Sequence, residues 1–534
     1  MKKKVSILLI FLMILTLFSG CAKPESASSS EVEESPASSD SSYEDLLFDT
    51  SYVHSINVDI AEEDWSDLLE NPLDKTKYSV NVTVDGEEID DVSFATKGNT
   101  SLSSVASDED SDRYSFKINF GKYVEDQTYH GLDRLNLSNI YADSTYMKDY
   151  MSYEIFRQIG VESALTSYVW LTVNGEDYGL YLAVEDMNDS YLNRTTDGEG
   201  ELYKPETEQL DNAGAADDNK QGDKPNGEFN PSEEAPEMPN GESNPPDGAP
   251  EDMETGNGMT PPDDNKGNGM DGNMDKGFGQ AGSDNGASLI YTDDNVDSYS
   301  DIFDNAETDA TDEDMQRVIA ALKGLSEGTN LDSYLDTDTI IRYFVAHNFV
   351  MNYDSYTGTM LHNYFLYEND GVLSILPWDY NLAYGTFMGA NDSTSVVNYG
   401  IDTPLSGTTE AERPIWSFIT ANDEYLQLYH TYFDELLTNY FESGDFDAEI
   451  DRVYQMILPY VEKDPTAFYT STEFSQGYNT LKEFCELRAE SIRKQLNGTL
   501  STDTSAQESS AQVDASAINI QDMGTQNEGN RGKD

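Results

Sequence analysis

The first ordered part of the chain alternates apolar and polar positions, which is the pattern of half-buried strands. The alternation predicts strands over residues 55–60, 78–84, 92–96, 113–120, 168–173 and 179–184. Gly86 and the pair Asn174-Gly175 lie between successive strands, where a tight turn needs residues that accept a left-handed backbone. Helical spacing of apolar residues occurs over 62–69 and 146–160. We therefore expect a sheet-rich part that contains a few helices.

The second half of the ordered sequence is dominated by helical spacing. Apolar residues recur every three to four positions over residues 312–324, 337–351 and 412–496. Between these helices, residues 364–367 and 372–376 have the pattern of two strands joined at Asp370-Gly371, which suits a hairpin turn. A run of strands followed by a run of helices is typical of the α+β class. We therefore expect an α+β protein, sheet-rich in its N-terminal part and helix-rich in its C-terminal part.

A long polar segment separates the two halves. Residues 205–285 consist largely of Pro, Gly, Asn, Asp and Glu and show no regular apolar period. Such a composition cannot bury enough apolar surface to form a core, so it predicts a disordered acidic insertion. The polar residues 499–534 likewise predict a disordered tail. For the insertion, an inert linker, weak calcium binding and binding or phosphorylation by partners all stay open, although residues 271–275 lack the full ligand pattern of an EF-hand.

The N-terminus has the features of an export signal. Three lysines precede an apolar run over residues 5–18, which is too short to cross roughly 30 Å of hydrocarbon but suits a signal peptide. The run ends in Ser19-Gly20-Cys21, and small residues before a cysteine resemble the lipobox of bacterial lipoproteins. We expect residues 1–20 to be removed, Cys21 to be lipidated and residues 21–45 to form a disordered tether. An ordinary secretory signal with an incidental cysteine is the alternative.

Composition narrows the possible partners. The 534 residues include 102 acidic and 31 basic side chains, giving a formal net charge of −71. Nucleic acid is excluded as a partner, because phosphate binding needs clustered Lys and Arg, and adhesion to an anionic membrane through a basic patch is excluded on the same ground. Apart from Cys21 the chain has one cysteine, Cys485, at a helical and partly apolar spacing that favours core packing. The five histidines show no zinc-ligand spacing.

The candidate chemistry lies between residues 352 and 385. Asp354 follows a predicted helix, Asn363 precedes the first hairpin strand, and Asp379 follows the second. The hairpin would bring Asn363 and Asp379 together. In phosphoryl transfer one Asp orients the acceptor hydroxyl, while an Asn and a second Asp hold Mg²⁺ on the nucleotide phosphates. Asp and Asn are also ordinary turn formers, so the spacing by itself leaves a purely structural role open.

Several motifs together resemble the signature of the spore-coat protein H (CotH) family of atypical protein kinases. They are Lys-Gly-Asn-Thr-Ser at 97–101, Arg-Leu-Asn-Leu-Ser-Asn at 134–139, Asn-Tyr-Asp-Ser-Tyr-Thr-Gly at 352–358, His-Asn-Tyr at 362–364 and Pro-Trp-Asp-Tyr-Asn-Leu-Ala-Tyr-Gly at 377–385. The resemblance implies a remote protein-kinase-like fold, formed by residues 46–204 and 286–498. It also implies ATP-dependent phosphorylation of Ser or Thr in surface or coat proteins, with Mg²⁺ or Mn²⁺ as cofactor.

The resemblance implies roles for three residues of the candidate chemistry and for one lysine. Asp354 matches the catalytic Asp and Asp379 the metal-binding Asp, while Asn363 would be the second metal ligand. Lys117, on the predicted strand over 113–120, would pair with the ATP phosphates.

Five further residues follow from the same resemblance. Glu154, on the helix after Lys117, is expected as the lysine's ion-pair partner, and Glu185 competes for that role. Lys97, Asn99 and Ser101 would lie in a loop that closes over the phosphates. There the chain has Lys-Gly-Asn-Thr-Ser in place of the family's usual Arg-Gly-Asn-Ser-Ser.

Three functions therefore stay open. The first is a CotH-like extracytoplasmic kinase that is lipid-anchored to the bacterial cell membrane and acts on a surface or coat protein. Because ATP is scarce outside the membrane, the second is a non-catalytic surface assembly or adhesion module with the same fold. The third is a glycosidase that uses Asp354 and Asp379 as its carboxylate pair, which would require the carboxyl groups to lie about 5–10 Å apart.

Overall fold

The computed structural model describes residues 42–207, 284–387 and 392–526. The expected signal peptide, Cys21, most of the expected tether and residues 208–283 of the expected insertion lie outside the described residues. Within the described part, no helix combines the length and the apolar character needed to cross a membrane.

Seven strands form a closed barrel in the N-terminal part, in the order β1-β2-β3-β4-β5-β7-β6. Their bounds are His54–Asp59 (β1), Tyr78–Val84 (β2), Glu87–Lys97 (β3), Ser115–Asn119 (β4), Arg134–Ser138 (β5), Thr166–Val173 (β6) and Glu176–Glu185 (β7). All neighbouring strands are antiparallel except β1 and β6, which pair in parallel and close the barrel. Alternate side chains such as Ile56, Val82 and Phe116 are fully buried and form the barrel core.

Helices accompany the barrel at its connections. They are Tyr43–Leu46 (α1), Glu62–Glu70 (α2), Thr100–Ala106 (α3), Lys148–Gln158 (α4) and Asp189–Thr196 (α5). Helix α4 buries most of its side chains, including Tyr150, Met151 and Phe156, in a second and larger core. That core continues into the C-terminal part of the chain, so α4 is shared between the two parts.

The C-terminal part is helical around a small sheet. Strands Glu201–Tyr203 (β8), Tyr364–Asn369 (β9) and Val372–Pro377 (β10) form the sheet in the order β10-β9-β8. The helices are Ser300–Phe303 (α6), Asp312–Glu327 (α7), Thr337–Val350 (α8), Ser393–Val397 (α9), Pro414–Thr420 (α10), Asp423–Leu436 (α11), Asp445–Val461 (α12) and Ser471–Leu496 (α13), with one π-helical turn at Leu437–Phe441. The expected α+β division into a sheet-rich and a helix-rich part is confirmed.

The structure corrects the bounds of the three segments that were predicted to be disordered. Residues 499–526, called the C-terminal segment below, are ordered, with short 3₁₀ turns at Thr504–Ala506 and Ile520–Met523. Sparse apolar side chains, including Val513 and Ile520, are buried in the main core, which offsets the polar composition. The folded chain also begins earlier than residue 46, because Tyr43 is buried. Residues 205–207 and 284–285 likewise belong to the described fold.

Candidate functional site

The loop after α8 carries Asp354 and is tied to the loop after β10. Helix α8 ends at Val350 and is followed by Met351 in a left-handed conformation, with φ 53°. Asn352 then bonds in two directions: its Nδ2 donates to the carbonyl of Asp379 at 3.0 Å, and its Oδ1 accepts from the Asp354 amide at 3.2 Å. One buried amide side chain therefore fixes the distance between the two loops that carry the candidate carboxylates.

The Asp354 carboxylate is held between two neighbours from one motif. Asn363 Nδ2 donates to Asp354 Oδ2 at 3.1 Å, and His362 Nε2 lies 3.1 Å from Asp354 Oδ1. Burial lowers the pKa of His362, but the charge of Asp354 and its hydrogen bond outweigh burial, so the net shift is upward. The structure thus brings Asp354 and Asn363 together and adds His362, which the sequence reasoning passed over although it lies within the quoted His-Asn-Tyr motif.

Asp379 follows β10 at the base of the hairpin. Pro377 pairs with Tyr364 across the strands, so Asp379 and Asn363 emerge from the same end of the hairpin, as the spacing predicted. Asp379 has a positive φ of 54° and its amide donates to Tyr153 Oη at 3.0 Å. The next amide, that of Tyr380, donates to Asp149 Oδ1 at 2.5 Å. Helix α4, which carries Tyr153 and Asp149, therefore fixes the backbone on which Asp379 is presented.

The Asp379 carboxylate differs from that of Asp354 in its surroundings. Burial raises its pKa; Lys97 opposes that rise, and the nearby charge of Asp354 adds to it. Among the described residues, no side chain or amide donates a hydrogen bond or forms an ion pair with this carboxylate. Burial also raises the pKa of Asp149, and the charge of Asp379 raises it further. A desolvated carboxylate of this kind is stabilised by a cation, so Asp379 suits a metal ligand.

Lys117 lies on β4 and is paired with a carboxylate that the sequence reasoning missed. Its Nζ lies 2.9 Å from Asp186 Oδ2, and Arg134 Nε lies 3.2 Å from the same oxygen. Asn136 Nδ2 donates to Asp186 Oδ1 at 2.7 Å. Arg134 and Asn136 belong to the quoted motif at 134–139, and the three donors hold the pKa of Asp186 well below its usual range against the effect of burial.

The expected partners of Lys117 are therefore corrected. Glu154 pairs instead with Arg157 on its own helix, at 2.9 Å. Glu185 is buried and pairs with Arg194, at 2.7 Å, and also accepts from Tyr43 Oη. Because both carboxylates are satisfied elsewhere, Asp186 is the group that positions Lys117.

Lys97 is the last residue of β3, and two carboxylates, those of Asp379 and Asp186, act on the charge of its ammonium group. Its Nζ lies 5.2 Å from the centroid of the Trp378 ring, next to Asp379 in the chain. Burial lowers the pKa of Lys97 to about 8, and the charges of Asp379 and Asp186 limit the fall. None of the described carboxylates lies within ion-pairing distance of this ammonium. Lys97 is therefore available to bind an anion that enters between Asp379 and Asp186.

Asn99 and Ser101 lie next to this lysine in the chain but not in the carboxylate cluster. Asn99 Oδ1 accepts from Lys75 Nζ at 3.0 Å, and Ser101 lies in the first turn of α3. Gly98 has φ +106°, a conformation that favours glycine, and turns the chain from β3 into α3. In the described structure neither side chain has a hydrogen bond to Asp354 or Asp379, and their expected place over the phosphates stays a prediction.

The available ligand atoms fit a metal ion whose coordination is completed by a bound substrate and by water. In the described ranges no group of three or more His, Cys, Asp or Glu side chains could hold a metal ion by itself. Mg²⁺ is usually held by one or two carboxylates together with substrate phosphates and water, which Asp379 with Asn363 could provide. One buried polar atom beside Asp186, Asn136 Oδ1, has no hydrogen-bond partner in the described part of the chain. Such atoms are rare in a finished core and indicate space for a polar ligand.

Comparison with known proteins assigns this arrangement to a family. The description of the family model that matches is "CotH kinase protein", and the match covers residues 94–242 and 258–492. It includes Lys97, Lys117, Asp354, Asn363 and Asp379. The chain therefore belongs to the CotH family, which confirms the resemblance found in the sequence. It is 19% identical over 387 residues to inner spore coat protein H of Bacillus subtilis (strain 168), covering 72% of this chain and 83% of that protein.

Proposed function

We propose that this chain is an extracytoplasmic phosphotransferase of the CotH family that transfers phosphate from ATP to Ser or Thr of a surface or coat protein. The observation that carries the proposal is that the site contains two carboxylates with different surroundings. Asp354 is held by Asn363 and His362. The carboxylate of Asp379 has no hydrogen bond or ion pair within the described structure, and burial raises its pKa. Two carboxylates in contrasting environments are typical of an acid–base group and a metal ligand in one site.

Asp354 is the group that would orient the acceptor. Its two neighbours leave it in a defined orientation, at the end of a loop anchored by Asn352. A hydroxyl that donates to this carboxylate would be held for attack on a phosphoryl group, and its proton has an acceptor at the same atom. Positioning contributes much of the catalysis in phosphoryl transfer, because there is little covalent chemistry for the protein to perform.

Asp379 and Asn363 are the residues that would hold Mg²⁺ or Mn²⁺. A divalent cation bound there would neutralise charge on the nucleotide phosphates. Lys97 and Lys117, which extend from neighbouring strands of the barrel, would contact phosphate oxygens. Asp186 keeps Lys117 in place by an ion pair. The Lys117–Asp186 pair lies on the barrel, and Asp354 and Asp379 lie on loops of the helical part. This division supports the proposed remote kinase-like fold.

The proposed location and partners rest on the sequence and on the relative. An export signal that ends at Cys21 favours a lipid-anchored protein outside the membrane. The Bacillus relative is named as an inner spore coat protein, which is consistent with a substrate in a coat or surface layer. We accordingly propose a surface or coat protein as the acceptor.

The proposal predicts different defects for the two carboxylates. Asp379→Ala should abolish metal-dependent ATP binding, because its charge is needed in the ground state to hold the cation. Asp354→Ala should leave ATP affinity within about threefold of wild type but lower transfer by at least about a hundredfold, because an acceptor-orienting group acts mainly in the transition state. Asp370→Asn, an exposed position on the turn of the same hairpin, is the matched control.

Two assays on the same proteins decide the outcome. Calorimetric titration of ATP with Mg²⁺ or Mn²⁺ measures binding, and radiolabel from γ-labelled ATP into candidate coat proteins measures transfer. If wild type binds no nucleotide with either metal, the enzymatic proposal is wrong, and a surface assembly or adhesion module becomes the better account. Equal loss of binding in both Ala variants would contradict the division of roles.

A further inference from the structure

The C-terminal segment (residues 499–526) is ordered although the family match ends at residue 492. Its apolar side chains Val513, Ala515, Ile518, Ile520 and Met523 are buried in the main core. Its remaining residues are mostly polar, and most of them are exposed or half-buried. The structure thus fixes a polar segment that lies beyond the family match, and its contacts show what it could position.

Most of the hydrogen bonds between the C-terminal segment and the rest of the described chain are with residues 393–403, which follow Asp379 in the chain. Asn398 bonds the backbone of Val513 twice, donating from Nδ2 to the carbonyl at 2.8 Å and accepting from the amide at Oδ1 at 2.9 Å. Further bonds join Ser393 to Ile518, Thr394 to Ala515, Gly400 to Thr504 and Asp402 to Thr502.

The backbone of the C-terminal segment approaches Gly400 so closely that a side chain could not fit. A Cβ atom at Gly400 would collide with the carbonyl oxygen of Thr502 and the amide of Thr504. This close approach, together with the paired Asn398 bonds, fixes the register of the two segments.

Residues 399–413 in turn contact the loop that carries Asp354. The Tyr399 and Tyr353 rings pack with centroids 5.8 Å apart, and the Ser406 amide donates to the Thr357 carbonyl at 3.0 Å. Arg413 donates from Nη2 to the Gly358 carbonyl at 2.6 Å. The contacts therefore run from the C-terminal segment, through residues 393–413, to the loop of the proposed acceptor-orienting carboxylate.

The far end of the C-terminal segment contacts residues 142–144, which precede helix α4. Ser144 Oγ donates to the Asp522 carbonyl at 2.6 Å, and Gly524 lies against the Ala142 carbonyl. The neighbouring Tyr141 carbonyl accepts from Asn381 at 3.3 Å. The C-terminal segment thus contacts both residues 393–403 and residues 142–144, and the latter adjoin the residue to which Asn381 donates.

We propose that the C-terminal segment is an intramolecular strap that positions the Asp354 loop for the acceptor, and this proposal rests on the proposed phosphotransferase function. The contacts of the strap are with residues 142–144, 393–403 and helix α13. The proposed phosphate-binding lysines lie on β3 and β4, and the backbone of Asp379 is held separately by Tyr153 of α4. Loosening the strap should therefore impair use of the acceptor and spare the nucleotide.

The test uses the full chain with substitutions in the strap. Val513→Asp places a carboxylate at a buried position beside Asn398, and the milder double variant Thr504→Ala/Gln507→Ala removes side-chain bonds to Gly400 and Asn398. Ser509→Ala, an exposed residue of the same segment, is the matched control. Hydrogen exchange followed by mass spectrometry reports residues 352–358 and 393–403, and thermal melting checks that each variant is folded.

The expected result is exchange that is about tenfold faster in residues 393–403 and in 352–358, which corresponds to losing one or two hydrogen bonds. With dephosphorylated casein as acceptor, kcat/KM for the acceptor should fall by a similar factor, while the ATP dissociation constant stays within about twofold. Unchanged exchange in 352–358 while the strap itself loosens would overturn the inference, and so would an equal loss of ATP affinity. A wild type that binds no ATP would instead defeat the proposed function, and the exchange data would still decide whether the strap exists.

Discussion

His347 connects the loop that carries Asp354 with the loop that carries Asp379, through a buried ring. Its Nδ1 lies 2.9 Å from Tyr380 Oη, next to Asp379, and its Nε2 lies 2.8 Å from Thr357 Oγ1, on the Asp354 loop. Burial lowers the pKa of His347 to about 3, so the ring is neutral in the folded protein at neutral pH. Protonation would place a charge in this buried position, so the fold around the site is sensitive to acid.

The direction of this sensitivity follows from proton linkage. The unfolded chain binds a proton at His347 with a pKa near 6.5, whereas the folded chain does so only near 3. As pH falls from about 6.5 toward 3, the free energy of unfolding should therefore decrease, by up to about 1.4 kcal/mol per pH unit from this residue. His347→Gln should remove that component, so its urea-unfolding curves at pH 7.5, 6 and 5 should shift less than those of wild type. Parallel shifts in both proteins would contradict the prediction.

The Lys117–Asp186 pair shows why residue-level prediction was incomplete. The sequence reasoning searched for a partner on the next helix and chose Glu154. In the barrel, Lys117 pairs with Asn136 on β5, and Asn136 pairs with Val184 on β7. Asp186 lies two residues beyond Val184 and so belongs to the same face of the barrel. Only the strand order β4-β5-β7 brings it to Lys117, and no local sequence pattern encodes that order.

At the scale of elements, a buried ion pair joins the barrel to the helical part. Arg113, just before β4, is fully buried and lies 2.9 Å from Asp464 in the connection between α12 and α13. Arg113 Nε donates to the Asn139 carbonyl at 3.0 Å, and the Leu180 amide donates to Asp464 at 2.9 Å. Both charges are satisfied by the other and by backbone groups, so removing one leaves the other buried and uncompensated.

Asp464→Asn should consequently lower the free energy of unfolding by roughly 3–5 kcal/mol, because the Arg113 charge would remain in the interior without its partner. The matched control is Glu162→Gln, which breaks an ion pair between Arg194 and a carboxylate that is 64% exposed. The control should cost less than about 1 kcal/mol. Urea unfolding of the three proteins measures both values. A loss below that of the control would mean that the pair adds nothing to the contact between the parts.

The elements with strong local signals were predicted well. In the β6–β7 hairpin, Asn174 and Gly175 both have positive φ, 52° and 79°, as the Asn-Gly pair predicted. The parallel pairing of β1 with β6 was not predicted, because its partners lie more than a hundred residues apart and leave no local pattern. The C-terminal segment was missed for a related reason. Its order depends on side chains such as Asn398 that bond its backbone, and its own composition is that of a disordered tail.

At the scale of the whole molecule, the described chain enters and leaves residues 208–283 at one place. The amide of Glu206 donates to the Asp301 carbonyl at 3.0 Å, and the amide of Asn285 donates to Asp301 Oδ2 at 2.9 Å. Two points bonded to the same residue can be joined by a short linker, because closing a short loop costs little chain entropy.

Replacing residues 208–283 by a short Gly-Ser linker should therefore leave the fold and any ATP binding nearly unchanged. The composition of this segment provides no core, and its gap in the family match at 243–257 lies within it. Differential scanning calorimetry should show a melting temperature within about 3 °C of wild type, which for a domain of this size is on the order of 1 kcal/mol. A larger fall would show that the segment packs against the rest of the protein.

The last prediction concerns attachment to the membrane. No helix of the described residues is suited to cross a bilayer, and the apolar run over residues 5–18 belongs to the expected signal peptide. The net charge of −71 opposes adsorption to anionic lipids, so a lipid on Cys21 would supply the attachment, at about 0.8 kcal/mol per buried methylene group. Cys21→Ala should move the processed protein from the membrane pellet to the soluble fraction, and Ser26→Ala, in the expected tether, should not. Processed Cys21→Ala protein that stays in the pellet at high salt would contradict a lipid anchor.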